Sequence, residues 1–167
     1  MALASFGEPA YRREFREIVR LRECGVYEIA PHDLTALFGP ARERGGSTEQ
    51  RHYDSAHSLQ VVLEETVLDI VGWLHAASGC DDLCMAGGVA LNCVMNARLL
   101  ERGPFKRIWV QPAAGDSGTA LGAALIVDGR ERGSVEREWE MTHAFLGPEY
   151  AEAEIEAFLL EKPEQRT

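Results

Sequence analysis

LCMAGGVALNCVMNARLLERGPFKRIWVQPAAGDSGTALGAAL, residues 83–125, contains two successive copies of one device: a short apolar strand, a glycine turn and a helix. The first copy places a strand at 83–86, the turn at Gly87 and Gly88, and a helix over 89–102. The second places a strand at 107–111, a turn at 112–118 with Asp116 inside it, and a helix over 119–127. Strands that alternate with helices predict a parallel sheet, whose ligands bind beyond the carboxyl ends of the strands. Both turns fall at that end.

Glycine between a buried strand and a helix lets the backbone approach a ligand closely, and the first N–H groups of the helix have no intrahelical partner. Such turns bind phosphates and other anions. Gly-Gly after a strand serves equally for close packing of helix on sheet, and spacing does not separate the two readings. Asp116 carries a similar ambiguity. It can turn into the cleft or cap the helix that follows, and local spacing favours the cap.

Outside this segment, periodicity predicts an amphipathic helix over 10–21, carrying Phe15, Ile18, Val19 and Leu21, and then a hairpin arm with a strand at 26–29. A polar loop is predicted at 40–51. A long helix over 57–77, capped by Asp54 or Ser55 and closed by Gly79, carries Leu59, Val62, Leu63, Val67, Ile70, Val71 and Leu74 across the two central strands. Residues 128–140 read as a solvated connection with Trp139 as an anchor, and a last helix is predicted at 151–161.

AGGVALNCVMNARLL, GPF, IWVQPAAGD and SGTALGAAL together closely resemble the Kae1-like domain of O-carbamoyltransferases, a family that includes nodulation proteins and antibiotic-tailoring enzymes. ALASFGEPAYRREFREIVRL near the start and MTHAFLGPEYAEAEIEAFL near the end are also similar to family sequence, with a looser region around Pro40 to Glu49. The resemblance implies an α/β fold of the actin/sugar-kinase/Hsp70-like (ASKHA) type, a lobe with a central sheet and packed helices. Residues 1–167 would then be the second lobe of a Kae1-like domain, a piece of a longer chain or a split gene product. A lobe with an HxxxH motif is expected upstream and a YrdC-like domain downstream.

The chemistry the resemblance implies is transfer of a carbamoyl group from carbamoyladenylate, made from carbamoyl phosphate and ATP, to a hydroxyl of a small-molecule or sugar acceptor. Gly87, Gly88 and Asn92 match the family's turn at the adenosine side of the nucleotide cleft, with a helix packing contact as the other reading of Asn92, and Gly115, Ser117 and Gly118 match the turn near phosphate and metal. Asp116 matches an aspartate that ligates a divalent metal ion, Fe(II), beside the HxxxH histidines, and this match outweighs the cap reading. The sequence contains no HxxxH, so the isolated chain is expected to be inactive. Two other classes share the fold: a non-catalytic nucleotide-binding or assembly module, and an ASKHA-type kinase with a carboxylate base.

Composition bounds what remains. With 167 residues, 46% hydrophobic and 26% charged, the chain is one globular domain or part of one. A formal charge of −10 disfavours a nucleic-acid backbone as partner. No apolar run approaches a membrane span and no basic-then-apolar signal opens the chain, so no membrane partner and a cytoplasmic location are the default expectations. Surfaces left by missing regions offer a route to self-association.

Cys24, Cys80, Cys84 and Cys93 show no CxxC spacing and are assigned to small, buried, reduced structural positions. His52 and His57 stand five apart, the wrong spacing for one helical face. With His32, His75 and His143 isolated, the histidines are not assigned as metal ligands.

Overall fold

Residues 1–134, 136 and 140–161 are described by a computed structural model, so Trp139 lies outside the described residues. Helix α1 (Arg12–Ile18) buries Phe15 and Ile18. The helix expected to reach residue 21 ends earlier, because β1 (Val19–Leu21) pairs antiparallel with β2 (Tyr27–Ile29). Hairpin closure decides this. At its tip Cys24 and Gly25 take left-handed φ values of 58° and 68°, and the Val26 N–H donates to Glu23 O at 3.3 Å. Asp33 then caps α2 (Leu34–Phe38), its Oδ1 accepting from the Thr35 and Ala36 N–H groups; periodicity does not predict so short a helix.

Helix α3 (Gln50–Ser78) starts at Gln50 rather than at 57. Its first turns are polar on every side, so no apolar stripe marks them. The cap is Glu49, neither Asp54 nor Ser55. The Glu49 side chain accepts from the His52 backbone N–H, while His52 Nδ1 accepts from the Glu49 N–H at 2.8 Å. Asp54 instead accepts from the Glu8 N–H at 2.9 Å, and the Ser55 hydroxyl donates back to Arg51 O at 2.7 Å. Gly79 closes the helix as expected, in the left-handed region at φ 65°.

There follow β3 (Asp82–Met85), a 3₁₀ turn (Gly88–Leu91), α4 (Cys93–Arg102), β4 (Arg107–Val110), α5 (Gly118–Arg132) and α6 (Glu152–Glu161). β3 and β4 pair in parallel, with Leu83 opposite Ile108 and Met85 opposite Val110. The architecture is thus mixed α/β, with two-stranded sheets among the described residues. Val71 of α3, Leu83 of β3, Met95 and Leu99 of α4, and Phe105 are buried together, flanked by Leu63, Val67, Leu68, Met85 and Ile108. Removing each such side chain from water stabilises by about 1.5–3 kcal/mol. Helix α3 therefore packs across the two strands as its periodicity predicts, although Leu59 and Leu74 of the predicted stripe are exposed. A second cluster joins Phe15 and Ile18 to Val62 of α3, with Phe15 stacked on Phe38 at 4.7 Å.

The chain divides into two units, 1–126 and 127–167. Helix α5 runs to Arg132, so 128–132 are helical rather than part of a connection, and Asp128 pairs with Arg132 one turn later. All four cysteines are free and exposed, contrary to the buried positions expected. Strand alternation accounts for Cys84: Leu83 and Met85 take the inward positions. No described helix is long and apolar enough to cross a membrane.

Candidate functional site

The first turn begins where β3 ends. Gly87 has φ 99° and ψ 160°, a conformation that L side chains rarely adopt, and its N–H donates to Ala114 O at 2.7 Å. That bond joins the first turn to the second. Gly88 is different: a Cβ there would meet nothing within 4 Å, so neither packing nor conformation demands its glycine.

The helix expected from 89 begins four residues later. Gly88–Leu91 is a 3₁₀ turn, and Asn92, extended at φ −77° and ψ 93°, caps α4 by accepting from the Met95 N–H at 3.1 Å. Its side chain also faces α3. Asn92 Nδ2 donates to Gln60 Oε1 at 2.8 Å, and Gln60 Nε2 donates to Asn92 Oδ1 at 3.3 Å and to Glu64 Oε1 at 2.8 Å. Glu64 in turn lies 3.5 Å from Arg98 Nε. Sequence reasoning missed Gln60, whose one signal is a Glu four residues on, at helical spacing.

In the second turn, the Gln111 N–H donates to Met85 O at 3.2 Å and prolongs the parallel ladder to the mouth of the turn. Gly118 is held by contact: a Cβ there would lie 2.1 Å from Ala113 O. Gly115 faces Leu91 of the first turn, whose Cδ1 would lie 3.5 Å from an added Cβ. The Thr119 N–H and hydroxyl both donate to Asp116 O, at 3.1 and 2.6 Å. The Asp116 main-chain carbonyl thus takes both Thr119 donors, the Gly118 N–H going to Gly115 O at 3.0 Å, and the Asp116 carboxylate is exposed with no hydrogen-bond or ion-pair partner among the described residues. Ser117 beside it is also exposed.

The backbone N–H groups of Gly88, Val89, Asp116 and Ser117 make no normal hydrogen bond among the described residues. Two joined turns with free donors at the carboxyl ends of parallel strands form an arrangement that can receive an anionic oxygen. A metal is a poorer fit. Among the described residues, no group of three or more His, Cys, Asp or Glu side chains gathers where it could hold an ion, and Asp116 offers one carboxylate. The histidines have local roles: His57 Nδ1 lies 2.8 Å from Ala4 O, His32 Nδ1 lies 2.8 Å from Ala30 O, and His75 sits edge-on to Phe105. At the opposite ends of the strands, a hydrogen bond from the Arg107 guanidinium holds the Asp82 carboxyl below the ordinary aspartate range.

A sequence model described as the carbamoyltransferase N-terminus matches residues 2–125. An uncharacterized protein of Synechocystis sp. is 39% identical over 95% of this chain and 29% of its own length. Nodulation protein NolO of Bradyrhizobium diazoefficiens is 38% identical over 89% of this chain and 28% of its own length. For nodulation protein NolNO of Sinorhizobium fredii the figures are 37%, 89% and 22%. The chain spans less than a third of the length of these relatives.

Proposed function

The chain belongs to the carbamoyltransferase family through that family's N-terminal domain, and on this premise we propose that it forms part of an O-carbamoyltransferase acting on a hydroxyl of a small-molecule or sugar acceptor. The observation that carries the reading is the 2.7 Å hydrogen bond from the Gly87 N–H to Ala114 O, which brings two glycine turns with free N–H groups into one place.

In this reading the joined turns bind ATP and carbamoyladenylate, the adenylate formed from ATP and carbamoyl phosphate. Gly88 and Gly115 keep side chains away from the ligand, and the N–H groups of Gly88, Val89, Asp116 and Ser117 receive its anionic oxygens. Holding the adenylate there orients its carbamoyl carbonyl for attack by the acceptor hydroxyl. A divalent metal, when bound, supplies Lewis-acid stabilisation of developing oxyanion charge. Asp116 is the donor this chain contributes, and the remaining donors are assigned to the HxxxH lobe of the longer protein. The ASKHA fold and a downstream YrdC-like domain belong to the same proposal.

The test is made on the full-length protein supplied with ATP, carbamoyl phosphate and hydroxyl acceptors. A carbamate ester on the acceptor and released pyrophosphate are expected, and Asp116→Ala should lower turnover by about a hundredfold or more. ADP in place of pyrophosphate would mark a kinase instead. Turnover indifferent to Asp116→Ala would reduce this lobe to a binding or assembly module.

A further inference from the structure

Asn92 is the polar side chain of the first turn, and hydrogen-bond accounting fixes how it can meet a ligand. Its Oδ1 accepts from the Met95 N–H and from Gln60 Nε2, which fills both lone pairs of a carboxamide oxygen. One of its two Nδ2 hydrogens goes to Gln60 Oε1. What remains is a single N–H. The orientation is also locked, because turning the amide over would set its NH₂ against the Met95 N–H and lose the cap.

Gln60 enforces this. Its Nε2 hydrogens are both used, one on Glu64 Oε1 at 2.8 Å and one on Asn92 Oδ1, so its own amide cannot turn over either. Glu64, an acceptor only when ionised, sets the direction of the chain of bonds, and Arg98 lies 3.5 Å from it on α4. The relay Arg98–Glu64–Gln60–Asn92 therefore passes from α4 to α3 and back to the turn, across residues 32 apart in sequence.

We propose that Gln60 is a positioning residue for the nucleotide site: it holds the Asn92 carboxamide so that Asn92 presents one N–H donor to a hydrogen-bond acceptor of the bound nucleotide. The inference rests on the reading of the joined turns as a nucleotide site. It adds that recognition at Asn92 is by donation alone, and that the residue responsible lies on α3, outside the glycine motifs.

The experiment measures ATP affinity of the full-length protein by calorimetry, with thermal unfolding followed alongside. Gln60→Met keeps the helix propensity and length of the side chain and frees the Asn92 amide; ATP should bind about three- to tenfold more weakly. Gln60→Glu sets a second carboxylate against Glu64 and should weaken ATP binding at least as much. A role confined to stability would lower the unfolding temperature of Gln60→Met and leave ATP affinity unchanged, which overturns the inference while the nucleotide reading stands. Absence of ATP binding by the wild type overturns the nucleotide reading, and this inference falls with it.

Discussion

Helices α4 and α5 follow the same plan of strand, glycine turn and helix, yet α4 buries Met95 and Leu99 completely while α5 buries no residue at all. The difference lies in how their side chains are distributed. In α4, Met95 and Leu99 stand four apart on one face and are buried against α3 and the sheet, while Glu101 and Arg102 are exposed, so the helix has a single face that packs. In α5, TALGAALIV is small and apolar on every side and selects none; Leu125 and Ile126 are 56% and 57% exposed. A shared motif specifies the turn. It does not specify what the following helix packs against.

The glycines divide in the same way. Gly87 and Gly118 are required by the backbone, one by its φ of 99° and the other by Ala113 O at 2.1 Å from an added Cβ. Gly88 meets no such demand. A glycine that the fold does not need is where a ligand is the better explanation for the missing side chain.

The sharpest way to break the first comparison is a pair of truncations read by chemical denaturation. Leu99→Ala should cost about 2–5 kcal/mol through the cavity it opens, whereas Leu125→Ser should stay within about 0.5 kcal/mol. Equal losses would mean that α5 is packed as tightly as α4. Next comes the glycine pair: Gly118→Ala forces backbone against backbone and should cost about 1–3 kcal/mol, while Gly88→Ala should change stability by no more than about 0.5 kcal/mol. A large loss at Gly88 would return that residue to a packing role. Asn92→Ala removes the α4 cap and should cost about 1 kcal/mol in the same assay.

The smallest effect expected is electrostatic. Asp82 hydrogen-bonds to Arg107 across β3 and β4, and its carboxyl lies below the ordinary value of 3.8 in the folded chain. A depressed folded value means that the pair contributes fully above the unfolded value and that its contribution is lost as pH falls through the folded one. The difference in melting temperature between wild type and Asp82→Asn should therefore be present well above the ordinary value of 3.8 and shrink as pH falls below it. Both groups are exposed, so even the full difference should be small.

Much of the fold was legible because local pattern carries it. The stripe of Leu63, Val67 and Val71 placed α3 on the sheet, and the two strand-and-turn segments announced parallel pairing. Where pattern and contact competed, contact won. Val19 and Leu21 continue a helical spacing, yet they pair with Ile29 and Tyr27. The polar start of α3 carries no periodicity and is set by the reciprocal bonds of Glu49 and His52. The cysteines were assigned to the interior by residue type, and strand alternation turned Cys84 outward.

The sequence by itself determined the two strand–turn–helix copies, the apolar faces of α3 and α4, and membership of the carbamoyltransferase family, because periodicity and residue identity are properties of contiguous segments. Only the tertiary structure decided that the Asn92 carboxamide caps α4 and locks onto Gln60, that the Gly87 N–H reaches Ala114, and that the carbonyl rather than the carboxylate of Asp116 receives the two Thr119 donors. Each of these depends on which donor lies within about 3 Å of which acceptor, and for partners separated along the chain that distance is set by how strands and helices converge, which no local spacing encodes.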